Sequence, residues 1–433
     1  MSDAPRSWRR TLYALWVAQT LTIIGFSLRT PFLPFYVAEL GAKAFEQQAL
    51  WAGAINAGGA AIMAITAPIW GTLADRYGRK LMVLRAMFAG SLTISLMALA
   101  TSPWQLLALR FVEGAFTGTV AASTTLAAST VPKERLGYGL GLMQMAVFSG
   151  SAVGPLLGGL LADALGYRIT FLLAGSMLFI GGWIVLLLVQ EEFERPAPEP
   201  GGRSARLSTI HLLWQPALLA VIVGLLALRS ATSALQPIVP LMVEQLARGS
   251  GAVNSLAGLS IGIAGLTSAV AAAVIGRAGD RFGVRGLLIA TSLLAGLTYL
   301  PLAVAQSVTH LVLLQAAFGV ASGGMLPTAN ALIAHLTPPE RRGAVYGFTT
   351  TATAVGGFVG PLGGTALAAA FSIRMAFVAL GTLLLAAAIW LWQALPAGEP
   401  RAEGERRTPR AIKGSSGDSE CRPAPIGRPR SGD

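Results

Sequence analysis

Long apolar runs dominate the chain, and polar or charged residues gather in the short segments between them. Twelve runs contain the roughly 20 mostly apolar residues that a helix needs to cross a bilayer core. They begin near Thr11, Leu50, Leu81, Trp104, Gly139, Ile169, Gln215, Val253, Leu287, Leu311, Ala344 and Met375. The pattern predicts an all-α integral membrane protein with twelve transmembrane helices, which we number as spans 1 to 12.

The first run follows three arginines, as the apolar part of a signal peptide does. It continues to about Val37, however, which is too long for a signal peptide, and it contains no convincing cleavage site. We therefore expect it to be retained as span 1.

Basic residues mark one side of the membrane. Of the 32 lysines and arginines, 25 lie in alternate segments, which are the N-terminus, 71–85, 132–136, 191–210, 276–286, 338–343 and the tail. The opposite loops hold Lys43, Arg168, Arg248 and Arg374, and Arg29, Arg110 and Arg229 fall inside predicted helices. By the positive-inside rule, both termini are cytoplasmic.

The chain repeats its own pattern. Eleven residues recur 206 positions later, and they are Glu134, Arg135, Gly137, Gly141, Gly150, Gly154, Pro155, Gly158, Arg168, Phe171 and Gly175. Earlier in each half, Gly71, Asp75, Arg76 and Gly78 of GTLADRYGRK recur 205 positions later in GRAGDRFGVR. Each copy holds six spans, so the copies share one orientation and form two pseudo-symmetric halves around a midplane cavity. We predict an N-terminal half at 1–190, a cytoplasmic linker at 191–213, a C-terminal half at 214–395 and a disordered basic tail at 396–433.

Composition agrees with this picture and excludes other classes. Only 12% of residues are charged and the mean hydropathy is +0.62, whereas a soluble domain has roughly 25% charged residues. The net charge is +12. The basic residues flank apolar runs and form no nucleic-acid motif, so we expect no nucleic acid as a partner. The sequence contains no GxxxxGK[ST] motif, metal-ligand cluster or nucleophile-base pair, so we expect neither an ATP-driven pump nor an enzyme.

The membrane domain resembles the major facilitator superfamily, and specifically its twelve-span drug:proton antiporters of bacteria. The resemblance rests on the loop between spans 2 and 3, on Arg110 and Gly114 in span 4, and on GSAVGPLLGG from Gly150. SLRTPFLPFYVAELG from Ser27 is also similar to the end of span 1 in bacterial multidrug exporters, although Arg29 replaces an uncharged residue. The resemblance implies a location in the bacterial cytoplasmic membrane.

Two motifs carry roles that this resemblance implies. The loop after span 2 and its repeat would gate the cytoplasmic side, through Gly71, Asp75, Arg76, Gly78, Arg79, Lys80, Asp280 and Arg281. The simpler alternative is that these charges fix topology and cap helix ends. The glycine-proline run of span 5 would set an export geometry between the halves, through Gly150, Gly154, Pro155, Gly158 and Gly159; helix packing with a proline kink is the simpler role.

Arg110 and Glu113 are three residues apart and therefore lie on one face of span 4. Burying an ionisable group costs about 2.5–3.5 kcal/mol, so an embedded one suggests a function. We hypothesise that Glu113 carries the coupling proton and that Arg110 tunes its proton affinity. A permanent structural salt bridge is the alternative, and the sequence does not separate the two.

Candidate residues for a substrate cavity are less specific. Arg29 in span 1 and Arg229 in span 7 would make a cavity positive and favour anionic or neutral amphiphiles, unless they extend toward the outer headgroups. Adaptable and polar contacts could come from Met143, Gln144, Phe148, Gln236 and Asn330, for which packing against the core or lipid is the alternative.

The sequence thus predicts a monomeric secondary transporter in the lipid bilayer that exports drugs or amphiphiles, a route to antibiotic resistance. It would be driven by the proton motive force and use no cofactor. Two alternatives stay open: a transporter of a single metabolite or organic anion, and a non-transporting membrane sensor or scaffold.

Overall fold

The structure is a computed structural model that describes residues 4–191, 215–247, 249–337 and 341–395. The predicted linker beyond Glu191 and the predicted tail lie outside the described residues, as do the side chains of Asp280 and Arg281. The α-helices are Ala4–Leu28, Leu33–Glu39, Phe45–Tyr77, Arg79–Met97, Pro103–Phe116, Thr119–Thr130, Leu136–Leu165, Tyr167–Leu188, Pro216–Leu246, Val253–Phe282, Val284–Tyr299, Val308–Leu336, Arg342–Ala370 and Ile373–Ala394.

These helices supply twelve segments long and apolar enough to cross a membrane, which confirms the predicted fold class. Spans 1 to 6 begin at Trp8, Phe45, Arg79, Pro103, Leu136 and Tyr167, and spans 7 to 12 at Pro216, Val253, Val284, Val308, Val345 and Ile373. The chain is a multi-pass membrane protein.

Span 1 is shorter than its apolar run because a proline interrupts it. The helix ends at Leu28, and a second short helix begins at Leu33. Pro31 has no N–H to continue the helical hydrogen bonds, and it disfavours a helical conformation at Thr30. The turn instead closes with bonds from the N–H of Thr30 to the Ser27 carbonyl and from that of Leu33 to the Arg29 carbonyl, at 3.1 and 3.0 Å.

Span 4 is also broken, close to its midpoint. Its first helix ends at Phe116 and its second begins at Thr119, with Gly118 at φ 130° between them. The break removes an intrahelical partner from the Ala115 carbonyl, which accepts a bond from Trp70 Nε1 of span 2 at 2.6 Å instead. Spans 2 and 4 are therefore tied together beside the break.

Each half has its own apolar core, and the duplication is visible in both. Phe171 of span 6 lies edge-on to Phe32 with ring centres 5.2 Å apart. Phe377, 206 positions later, lies similarly against Tyr299 at 5.8 Å. Both phenylalanines are fully buried, so the repeated residue lies in the core of each half, although its aromatic partners come from different parts of the two repeats.

The two halves meet along two seams, span 5 against span 8 and span 2 against span 11. A side chain at Gly53 would overlap Thr365, and one at Gly258 would overlap the Pro155 carbonyl. Among the described glycines, those that approach the other half lie between the span midpoints and one end of the bundle. We call this the outer end, following the predicted orientation. It carries the connections 29–44 and 247–252, and the structure shows it closed.

Candidate functional site

A buried carboxylate in the N-terminal half is held by two arginines. Glu113 of span 4 is only 3% exposed. Arg29 donates from Nη1 to Oε2 and from Nη2 to Oε1, each at 2.9 Å. Arg110 Nη1 donates to Oε1 at 2.7 Å. Because two parallel bonds from one guanidinium fix both position and orientation, these side chains form a unit that we call the Arg29–Glu113–Arg110 cluster.

The proline break places Arg29 in this cluster. Arg29 is the first residue after the helix of span 1, and its carbonyl accepts bonds from the N–H groups of Phe32 and Leu33. Its guanidinium also lies 5.7 Å from the Phe26 ring centre. Arg29 therefore belongs to the turn between two helices and to neither helix.

Glycines of spans 2 and 4 make room for Arg110. A Cβ atom at Gly59 would lie 3.0 Å from Arg110 Cζ, and one at Gly114 would overlap the Gly59 carbonyl. Arg110 Nε also donates to the Ile55 carbonyl at 3.3 Å. Span 2 thus approaches span 4 closely at the level of Glu113, and a larger residue at Gly59 would displace the guanidinium.

The cluster combines two positive charges with one negative charge. Protonation of Glu113 would leave two embedded guanidinium groups without a counter-ion, so proton uptake and the positions of the arginines are physically linked. The spacing along span 4 had predicted the contact between Arg110 and Glu113. Sequence analysis missed the bond from Arg29, although a single embedded acid among three embedded arginines was a signal for such pairing.

Arg229 lies in the other half, at a comparable depth. It is about 20 Å along span 7 from Pro216, at 1.5 Å per residue. Its Nε lies beside Gly357 of span 11, where a Cβ atom would be 3.7 Å away and also 3.9 Å from Ala60 of span 2. The side chain is exposed although its neighbours Leu228 and Ser230 are buried. Arg229 therefore opens into space between the halves.

The other cavity candidates are scattered. Met143 is 2% exposed and belongs to an apolar cluster of the N-terminal half, which matches the packing alternative. Gln144 is exposed, whereas Phe148 and Gln236 are partly buried. The backbone carbonyl of Asn330 accepts a bond from the Tyr346 hydroxyl at 3.0 Å. Their membership of a substrate site stays a prediction.

The predicted gating loop is held by an acid from outside its motif. Gly78, at φ 94°, separates spans 2 and 3. The N–H groups of Arg79 and Lys80 donate to the two carboxylate oxygens of Glu191 at 2.8 Å each. Glu191 therefore caps the start of span 3 from the chain that leaves span 6. A carboxylate at a helix N-terminus is favourable, and this contact joins the loop to the predicted linker.

The remaining gating residues make few contacts. Asp75 and Arg76 are exposed, and the Arg76 guanidinium lies 5.5 Å from the Tyr77 ring centre. Open space surrounds the Cβ position of Gly71. Within the described ranges, neither Asp75 nor Arg76 has an ion-pair partner. This conformation thus leaves the Asp75 carboxylate available to another partner.

The glycines of span 5 serve two different contacts. Side chains at Gly150, Gly154 and Gly158 would overlap span 1 of the same half, and at Gly158 the overlap would be with the Leu28 carbonyl. A side chain at Gly159 would instead overlap the Asn254 carbonyl of span 8, and the Pro155 carbonyl lies against Gly258. Only one edge of the motif therefore forms the seam between the halves.

An acid near the end of span 5 closes the outer end. The Asp163 carboxylate accepts bonds from Asn254 Nδ2 and from the N–H and hydroxyl groups of Ser255, at 2.7, 2.7 and 2.5 Å. Because both partners lie in the first turn of span 8, Asp163 caps a helix of the other half. We call this the Asp163 latch.

In the part of the chain that the structure describes, no group of three or more His, Cys, Asp or Glu side chains is placed to hold a metal ion. The arrangement offers ion pairs and glycine seams.

Comparison with known proteins identifies relatives along nearly the whole chain. The model of the major facilitator superfamily matches residues 15–256 and 223–427. Multidrug resistance protein MdtG of Dickeya zeae is 33% identical over 392 residues, which cover 90% of this chain and 96% of that protein. The protein of the same name from Escherichia coli (strain SMS-3-5 / SECEC) is 32% identical over 394 residues, covering 91% and 96%.

Solved structures share the fold at low sequence identity. A bacterial homolog of the human lysosomal transporter Spinster, in an inward-facing and occupied conformation, has a TM-score of 0.74 and 16% identity. That match covers 91% of this chain and 97% of the other. The nucleoside transporter NupG has a TM-score of 0.71 and 13% identity, with 88% and 98% covered.

Proposed function

Because this chain belongs to the major facilitator superfamily, we propose that it exports small amphiphilic molecules from the cytoplasm in exchange for protons. Transport proceeds by alternating access, with no cofactor and with the proton motive force as the energy source. The protein works as a monomer in the bacterial cytoplasmic membrane, with both termini cytoplasmic. Two relatives named as multidrug resistance proteins support export.

The observation that carries this proposal is the carboxylate of Glu113, embedded in the bundle and bonded to Arg29 and Arg110. A proton-coupled transporter needs a group whose proton affinity differs between its two conformations. With both arginines in place Glu113 is ionised. When the turn that carries Arg29 moves away, the carboxyl loses the partner that binds both of its oxygens and takes up a proton.

One transport cycle follows from this geometry. The present structure, closed at its outer end, is the inward-facing state, with an ionised Glu113 and a site open to cytoplasmic substrate. Opening of the outer end separates Arg29 from Glu113, so a proton from outside binds as the substrate leaves. On return, the arginines bind the carboxylate again and the proton is released to the cytoplasm.

The gating residues fit the same cycle. Asp75 and Arg76 stand exposed at the cytoplasmic end, and Asp75, with Asp280 and Arg281 of the repeat, holds this end closed once the outer end has opened. The Asp163 latch is the corresponding device at the outer end. Each end is thus held by charge-assisted contacts that exist in only one state.

The energetics are sufficient for accumulation outside the cell. One charge that crosses about 100 mV contributes about 2.3 kcal/mol, and one pH unit adds about 1.4 kcal/mol. A concentration ratio of several hundredfold corresponds to about 3.5 kcal/mol, at 1.4 kcal/mol for each factor of ten.

The test uses purified protein in liposomes with an imposed pH gradient and a pH-sensitive dye in the lumen. Anionic, neutral and cationic amphiphiles are added in turn, and protein-free liposomes serve as the control. We expect proton movement that depends on both protein and substrate. Substrate movement without any proton movement would contradict the proposed exchange.

Loss of the Asp163 latch should favour the outward-open state. Asp163→Ala removes three hydrogen bonds to an anion, each worth about 1.5–3 kcal/mol in a protein. We expect the outward-open population to rise at least tenfold. The measurement uses a cysteine engineered at Ala152, a residue at the seam that is 4% exposed. Its labelling by an impermeant maleimide is followed in a protein whose single native cysteine is removed by Cys421→Ser.

The matched control is Glu46→Ala, which removes an exposed acid near the same end of the bundle. It should leave labelling at position 152 unchanged. If position 152 is labelled equally in the Asp163→Ala protein and in the protein that keeps Asp163, the carboxylate does not hold the outer end closed.

Two alternative functions have their own tests. A transporter of one metabolite or organic anion would respond to a single chemical class in the liposome assay. A membrane sensor or scaffold would depend on the basic tail as its binding element. We expect deletion of residues 396–433 to leave substrate-dependent proton movement within about twofold of the full chain, because the transport site lies in the membrane domain. If this deletion abolished the function of the protein in the cell and left transport in liposomes intact, the sensor or scaffold would be favoured.

A further inference from the structure

Arg229 is an embedded cation that the proton cycle does not use. Within the described residues, its side chain makes no ion pair, since both ion pairs there involve Glu113. Apart from the backbone bonds of the helix, the hydrogen bonds at this residue use its carbonyl, which accepts from Thr232 Oγ1 and Ser233 Oγ at 3.1 and 2.6 Å. The guanidinium is therefore available to a group outside this chain.

Acids of the described chain do not provide the missing counter-ion. Both oxygens of Glu113 already accept bonds from arginines. The other described acids lie near helix ends or in connections, and they are Glu39, Glu46, Asp75, Glu134, Asp163, Glu191 and Glu244. A charge near the middle of a span is costly without a partner, so the site favours any anion that can reach it.

The space beside Arg229 is formed by small residues. A Cβ atom at Gly357 of span 11 would lie 3.7 Å from Arg229 Nε and 3.9 Å from the Cβ atom of Ala60 in span 2, so Gly357 lies between Arg229 and the other half. The residue before Ala60 is Gly59, which lies against Arg110. Arg229 and the Arg29–Glu113–Arg110 cluster are therefore linked by consecutive residues of span 2. Together these four side chains carry three positive charges and one negative charge.

We propose that Arg229 binds the anionic group of the exported substrate, so that the preferred substrates are amphiphiles with a carboxylate or another oxyanion. This inference rests on the proposed export function and specifies its substrate class. A guanidinium matches an oxyanion through two parallel hydrogen bonds.

A charge balance follows from this assignment. When one proton enters and one monoanion leaves, two positive charges move inward in each cycle. Export of an anion is therefore driven by the membrane potential as well as by the pH gradient. A neutral substrate exchanged for one proton moves only one charge.

The test compares dansylglycine, which carries a carboxylate, with dansylglycinamide, its uncharged amide. Binding of each probe to the full-length protein in detergent at pH 7 is followed by dansyl fluorescence. We expect the wild type to prefer the anion at least tenfold, because hydrogen bonds to charged groups contribute more than neutral ones. In Arg229→Gln the ratio of the two affinities should fall by about tenfold to a hundredfold, and Arg229→Lys should keep part of it.

Arg374→Gln is the control for a general loss of positive charge, since Arg374 is exposed at the outer end. It should leave the affinity ratio unchanged. A wild type that does not prefer the anion, or an Arg229→Gln protein that keeps the wild-type ratio, would overturn the inference. Arg229→Gln and Arg229→Lys that both fail to fold would overturn it as well, because Arg229 would then be structural.

The proposed function and this inference can fail separately. Proton movement with dansylglycinamide but no preference for dansylglycine would keep exchange and remove the role of Arg229. Preference for the anion that depends on Arg229, in a protein that moves no protons, would keep the binding site and remove the exchange.

Discussion

Replacement of Glu113 by glutamine should abolish uphill transport and substrate-driven proton movement. Glutamine has nearly the same shape but does not ionise, so it cannot take up and release the proton that our mechanism assigns to Glu113. It also leaves Arg29 and Arg110 without a counter-ion. Because breaking a buried ion pair costs about 3–5 kcal/mol, we expect at least a hundredfold loss, measured as substrate-driven acidification in liposomes.

A double replacement separates proton coupling from structural support. Arg29→Met combined with Glu113→Gln removes one positive and one negative charge together, so the cluster keeps its net charge of one through Arg110. Neutral pairs of this kind are often as stable as the ion pair they replace. If the cluster is only structural, the double variant should regain both thermal stability and uphill transport. If Glu113 carries the proton, the double variant should regain stability without coupling. An active Glu113→Gln protein would contradict our mechanism directly.

The second large effect is expected at Gly258. A side chain there would overlap the Pro155 carbonyl across the seam between spans 5 and 8. Gly258→Leu should therefore keep the outer end open, since neither backbone can yield without separating the halves. We expect uphill transport to fall by at least about a hundredfold, and labelling of a cysteine at Ala152 to become strong and independent of substrate.

Gly158 provides the matched control for this prediction. A side chain at Gly158 would overlap the Leu28 carbonyl within the N-terminal half. Gly158→Ala should therefore lower thermal stability by at least the roughly 1–3 kcal/mol typical of overpacking, without selective opening of the outer end. If Gly258→Leu instead lowered stability and left position 152 protected, the seam between spans 5 and 8 would not be the moving contact.

Together these contacts assign separate roles to the two halves. The N-terminal half carries the acid, in the Arg29–Glu113–Arg110 cluster. In the repeat, the residue equivalent to Arg110 is Gln315. The residue equivalent to Glu113 is Phe318 or Gly319, depending on which of the two offsets applies. The C-terminal half therefore has no equivalent acid there, and it contributes Arg229 instead. Duplication has preserved the helices while the charges have diverged.

The sequence by itself determined the number of spans, the repeat and the family. These features depend on local composition and periodicity, because a bilayer requires about 20 apolar residues for each helix. The pairing of Arg110 with Glu113 was also predictable, since a helix places residues three apart on one face. Loop charges predicted an orientation for the same local reason.

Only the tertiary structure decided which distant groups meet. Arg29 and Glu113 are 84 positions apart, and Asp163 reaches Ser255 across 92 positions. The turn at Pro31 aims Arg29 at span 4, and helix neighbours decide which glycines of span 5 face span 8. Such contacts follow from how whole helices pack, and packing is a property of several segments together. The sequence therefore identified the charges in the membrane, whereas the folded bundle determined that two arginines share Glu113 and that Arg229 has no ion-pair partner among the described residues.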